Sequence, residues 1–159
     1  MTEYLDRSGL TELQLTFLDH AGEWLETIKG ADCRIKPGAS GKSKSFEISV
    51  KPQHQESFTI SIFAEPGQIV VFFEGWHQHF SPAEENISVE EACRNALGLM
   101  EEGISGQCKL VVKKASGKGY RWSLYLCKED KWVPYSVVGL LFYNYFGRRT
   151  KEELINRLR

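Results

Sequence analysis

The sequence predicts a single α+β domain over residues 1–159, with a mainly antiparallel sheet of about six strands and an N-terminal, a central and a short C-terminal helix. Three observations carry that expectation. The apolar period switches between that of a helix and that of a strand in the order α-β-β-β-α-β-β-β-α. Strands that follow strands are separated by short turns, which suit antiparallel neighbours. The composition, 42% apolar and 26% charged over 159 residues, is that of an ordinary globular chain. A chain of this length buries roughly 70% of its unfolded surface, enough for one core without disulfides.

Leu10, Leu13, Phe17, Ala21, Trp24 and Ile28 recur at spacings of three and four, with Leu18 and Leu25 widening the stripe, so the first helix is expected over about 11–29. Thr11 and Gln14 form a capping box and Gly30 supplies a stop. After a loop at Pro37–Gly41 the period becomes two: Phe46, Ile48 and Val50 alternate with polar residues, then Phe58, Ile60 and Ile62. Turns are expected at 53–56 and 65–67, followed by an unbroken apolar strand from Gln68 to about Glu74 that suits burial on both faces. Ser88 and Glu91 open the central helix, which Gly103 ends. Lys109–Lys114 and Tyr120–Lys128 read as a hairpin about 116–119, with Trp122, Leu124 and Leu126 on its core face. A charged turn at 128–131 and a strand within 136–146 follow, and Thr150 with Glu153 caps the short last helix.

No stretch reaches the roughly 20 apolar residues of a membrane span, and Met1–Arg7 lacks the basic and apolar pattern of a signal peptide, so the expectation is a cytoplasmic chain with no membrane partner. Cys33, Cys93, Cys108 and Cys127 stand singly, which fits reduced, half-buried thiols rather than a disulfide framework or zinc knuckle. Gly38–Ser43 imitates the end of a phosphate-binding loop. It has Lys36 where the motif's first glycine belongs, and a strand rather than a helix follows, so it reads as a plain loop.

The formal charge of −1 conceals segregation. Residues 1–28 carry −5 and residues 65–107 carry −7, whereas 29–64, 108–131 and 132–159 carry +3, +5 and +3. A uniformly basic nucleic-acid binder is excluded; a local acidic docking face is not.

The most unusual stretch is Glu74-Gly75-Trp76-His77-Gln78-His79-Phe80. In an extended chain His77 and His79 project from one face about 7 Å apart, so they could share a metal ion or serve as acid and base in a small enzyme. Glu84 completes the H-x-H-x4-E spacing of a cupin's first motif, but no histidine follows His79 to finish a metal site; His20 and His54 have no spacing that demands them. No Gly-x-Ser-x-Gly or Cys-His arrangement supplies a nucleophile. No cofactor, metal or catalytic residue is therefore assigned. Tryptophan beside histidine also suits a recognition edge, and Glu84, Glu85, Glu90 and Glu91 follow at once. Glu74, Trp76, His77, His79, Glu84 and Glu85 are assigned to partner binding, with a basic protein as the partner.

The run Phe-x-Gly-Trp-His-x-His-Phe at 73–80, an acidic spacer, the helix opened by Ser88-Val89-Glu90-Glu91-Ala92, and strands containing Lys109–Val112 and Trp122 resemble a group of small bacterial proteins, some of them similar to immunity proteins of polymorphic toxin systems. The resemblance covers about the middle half of the chain. It implies a protein that binds a cognate toxin domain and blocks its active site without chemistry of its own. A rival expectation places nucleic acid on the basic hairpin 109–121 (Lys109, Lys113, Lys114, Lys118, Arg121) with Tyr120 and Trp122 stacking bases. The alternation that puts both aromatics on the core face argues against it.

Overall fold

The computed structural model describes residues 7–28, 33–37, 45–51, 54–141 and 144–157. The loop expected at 38–43, with its imitation of a phosphate-binding motif, lies outside the described residues. The elements are α1 (Glu12–Thr27), β1 (Cys33–Pro37), β2 (Phe46–Val50), β3 (Ile60–Ala64), β4 (Ile69–Phe73), β5 (Trp76–Phe80), α2 (Pro82–Glu85), α3 (Val89–Ile104), β6 (Cys108–Ala115), β7 (Lys118–Lys128), β8 (Lys131–Gly139) and β9 (Arg149–Leu154). The α+β class is as the sequence predicts. The detail differs: among the described residues the strands form two sheets, β1-β2-β3-β4-β5 and β8-β7-β6-β9, nine strands rather than about six. The chain divides into two compact units. The first comprises Met1–Lys51, Ile60–Val71 and Gln78–Met100, and the second Pro52–Thr59, Phe72–His77 and Glu101–Arg159.

In the first unit the expected capping box opens α1. The Gln14 N–H donates to Thr11 Oγ1 (3.4 Å) and the Thr11 N–H donates to Gln14 Oε1 (3.0 Å). Gln14 is fully buried because its Nε2 also donates to the Ala64 carbonyl (3.0 Å), tying the helix start to β3. The apolar stripe then lands as its period requires: Leu13, Phe17, Leu18, Ala21 and Leu25 are buried, and Phe17 stacks on Phe46 of β2 with centroids 5.9 Å apart. Ala92, Cys93, Ala96 and Met100 of α3 are likewise buried. The strands β1, β2 and β3 pair antiparallel in succession, with Ile48 opposite Ile62.

In the second unit β6, β7, β8 and β9 are antiparallel throughout. Ser116 and Gly117 (φ 50° and 79°) close β6 onto β7, and Glu129 and Asp130 (φ 50° and 58°) close β7 onto β8, the positive angles that two-residue hairpins require. The expected strand at 58–62 starts two residues later. The Phe58 backbone is claimed by Asn156, whose Oδ1 accepts from the Phe58 N–H (2.8 Å) and whose Nδ2 donates to its carbonyl (3.0 Å).

The expected C-terminal helix is corrected. Thr150 and Glu153 lie in β9, which pairs with β6 from Ala115↔Arg149 to Leu110↔Leu154. A short polar segment has little helical stability of its own. The free edge of β6 offers it backbone hydrogen bonds, and Glu152 and Glu153 reach Lys114 (2.7 Å) and Lys109 (3.5 Å) of β6. The last expected strand is also displaced, from within 136–146 to 131–139. Pro134 is tolerated in β8 because β8 is an edge strand and its pairing with β7 is irregular there, Leu124 facing Ser136 and Tyr125 facing Pro134.

Candidate functional site

The Trp-His-x-His-Phe run is a strand. The turn Glu74-Gly75 sends the chain from β4 into β5, whose side chains alternate: Trp76 and Phe80 are buried, His77 is half-buried and His79 exposed. Trp76 belongs to the core of the second unit, which corrects its assignment to a recognition edge. It has no exposed surface, its ring lies 5.4 Å from Phe73 and 6.1 Å from Tyr135, and its indole N–H donates to Ser136 Oγ (2.8 Å). Trp76 therefore supports β8 from beneath instead of meeting a partner.

The histidines sit in separate environments. His77 packs on Phe72 with centroids 5.4 Å apart. His79 Nδ1–H donates to Gln68 Oε1 (2.8 Å), and Gln68 Nε2 donates to Glu65 Oε2 (2.6 Å), so the ring is held by a polar chain along the β3–β4 turn. His20 is engaged by Glu90 (2.9 Å). Among the described residues no three His, Cys, Asp or Glu side chains gather as a metal site.

Glu84 and Glu85 are exposed on α2, and Glu85 Oε1 accepts from the Ser81 N–H (2.9 Å). Glu90 and Glu91 occupy the first turn of α3, where the helix dipole favours negative charge. The hydrogen bond from His20 holds the Glu90 carboxyl below the usual carboxylate range, helped by Arg94. The first unit carries 8 basic and 13 acidic residues in sequence, a formal charge of −5; the second carries 12 and 8, or +4.

Glu74 has a left-handed backbone (φ 55°), uncommon for a residue with a Cβ. Its N–H donates to the Thr59 carbonyl (3.1 Å), and its Oε1 accepts from the Thr59 N–H (2.9 Å). The next residue must be glycine for another reason: a Cβ on Gly75 would fall 2.6 Å from Trp122 Cζ2.

β8 is what the sequence did not reveal. Among the described residues the well-exposed large apolar side chains all fall between Trp132 and Phe146: Trp132, Val133, Tyr135 and Val137 on β8, then Leu140, Leu141, Tyr145 and Phe146. Val137 is 51% exposed, Leu141 84% and Phe146 fully. The Tyr145 hydroxyl donates to the Leu141 carbonyl (3.1 Å) and the Ser116 N–H to that of Arg148 (2.9 Å). The available signal was the apolar tract 137–146, whose pattern gives no face to bury. The basic hairpin is partly neutralised. Lys109 and Lys114 meet Glu153 and Glu152, and Lys109 lies over the rings of Tyr125 (5.5 Å) and Trp132 (5.1 Å). Tyr120 is buried and Trp122 half-buried.

No protein-family model, curated protein or solved structure matches the chain.

Proposed function

We propose that this chain is a protein-binding module of immunity-like type, which neutralises a cognate bacterial toxin domain in the cytoplasm by covering its basic surface. The observation that carries the reading is the set of exposed apolar side chains on β8 and at Leu140, Leu141, Tyr145 and Phe146. Water-exposed aromatic and aliphatic groups concentrated on one edge strand and the turn after it are the usual mark of a surface that another protein covers. The −5 charge of the first unit, with Glu84 and Glu85 exposed on α2, supports a basic partner, because such charge speeds encounter and disfavours acidic competitors. Glu74, His77 and His79 stay with the proposed recognition residues, and Trp76 acts by supporting β8. The free thiols of Cys93, Cys108 and Cys127 suit a reducing compartment. The test is co-purification, in low-salt buffer, with the basic protein encoded next to this gene. A stable complex is expected, and two proteins that elute separately contradict the reading.

Nucleic acid is the second reading, favoured by Trp132 and Tyr135 exposed on β8 with Lys109 beside Trp132 in a unit of charge +4. It predicts salt-sensitive binding of single-stranded RNA or DNA that weakens in Lys113→Ala and Lys114→Ala variants.

A further inference from the structure

A cleft of about 420 Å³ opens in the second unit beside the Glu74-Gly75 turn, bounded by Ser57, Glu74, Lys114, Trp122 and Glu152 among others. That volume lies within the range of small-ligand pockets. We infer that this cleft receives the guanidinium of an arginine side chain. The inference rests on the partner being a basic protein, and it names the group of that partner which the second unit reads.

The walls carry unequal charge. Among the described residues Lys114 is the one cation in the lining, and it is already matched, its Nζ 2.7 Å from Glu152 Oε2. Glu74 is thus the unmatched carboxylate. The Thr59 N–H holds Oε1 and fixes where the group sits, and among the described residues no side-chain cation meets it. Anchoring it there has a conformational cost, since a left-handed backbone is unfavourable at a residue with a Cβ. Glycine would remove that cost at position 74, and glutamate stands there instead.

Trp122 gives the cleft a rigid aromatic wall. Glycine backbones press on its indole at two places: a Cβ at Gly75 would lie 2.6 Å from Cζ2, and one at Gly119 would lie 2.7 Å from the same atom. The ring therefore has little freedom to turn away. A carboxylate fixed by a backbone N–H, a second carboxylate with an ammonium partner and an aromatic wall make a set that a planar cation with five donors satisfies better than a compact ammonium does. The second unit is positive as a whole, so the attraction is local, and charges beyond roughly 8 Å are screened at physiological salt.

The probe is N-acetylarginine amide, titrated into the ¹⁵N-labelled full chain while the Trp122 indole N–H resonance is followed. N-acetyllysine amide and N-acetylaspartate amide serve as comparisons. A saturable shift is expected with the arginine probe, weaker with lysine and absent with aspartate. Glu74→Gln keeps the oxygen that accepts from Thr59, so it preserves the turn and weakens the arginine probe by about tenfold, as loss of one charge-assisted hydrogen bond does. Glu23→Gln, at an exposed carboxylate of α1, leaves it unchanged. No saturable shift, an equal response to aspartate, or full binding by Glu74→Gln overturns the inference. Arginine binding without a complex with the neighbouring basic protein defeats the partner reading and leaves the cleft standing; the converse result defeats the cleft alone.

Discussion

Asn156 shows how much one side chain determines. It is 1% exposed and offers its amide as a clamp to both backbone groups of Phe58, whose ring lies 5.1 Å from Phe73. Asn156→Ala leaves a buried N–H and a buried carbonyl without partners, and each such orphan costs about 1–3 kcal/mol. The variant is expected to lose about 2–4 kcal/mol in urea unfolding at unchanged slope. Glu102 poses the opposite case. It sits in the last turn of α3, where the helix dipole disfavours an anion, and burial pushes its carboxyl up, with Lys128 opposing. A raised folded value means stability that is present below the unfolded value is lost as pH rises through the folded one. Glu102→Gln should therefore melt higher than the parent at neutral pH. The gap should close on acidification well below about pH 4, where the carboxyl is protonated in both states. A gap that widens in acid contradicts this account of Glu102.

At the scale of elements, β8 and β9 carry the most consequence. Val137→Lys on β8 places a charge where the side chain is already half in water, so folding stability should change by no more than about 0.5 kcal/mol. The same change should weaken the proposed complex at least tenfold by calorimetry, as a charge set into an apolar contact does. Unaltered affinity removes β8 from the interface. The two strands also mark where sequence reading stopped. α1, α3 and the β6–β7 hairpin were legible because each has an apolar face with a clear period and a chemical boundary, such as Thr11 with Gln14 or Ser116 with Gly117. β9 was not, because Arg-Thr-Lys-Glu-Glu has helix-like composition and becomes a strand only through β6. β8 is misplaced because Pro134 interrupts its pattern and Trp132, Val133, Tyr135 and Val137 are all exposed, so burial leaves little period to read. Of the proposed site, the strand character and common face of His77 and His79 were readable from alternation, whereas the burial of Trp76 depends on Tyr135 and Ser136, some 60 residues away. The Gly75 requirement likewise comes from Trp122, and no local pattern encodes it.

For the molecule as a whole, a formal charge of −1 is the cancellation of −5 in one unit against +4 in the other. Opposite-sign units let one chain present an acidic surface without being acidic overall, and surface charge of this kind acts on association rate more than on fold. Reversing Glu84 to lysine should slow association with a basic partner by about threefold at low salt and leave the melting temperature within a degree or two of the parent; the slowing should shrink as salt is added. Stopped-flow mixing across a salt series reads this directly, and a salt-independent rate loss points to a contact defect instead. A protein partner that covers β8 must shield its backbone amides from solvent. Amide hydrogen exchange, on the chain alone and mixed with the basic protein encoded beside it, reads that shielding residue by residue. Strong new protection is expected across Lys131–Gly139 in the complex; an unchanged exchange pattern there, whether or not a complex forms, removes β8 from the interface.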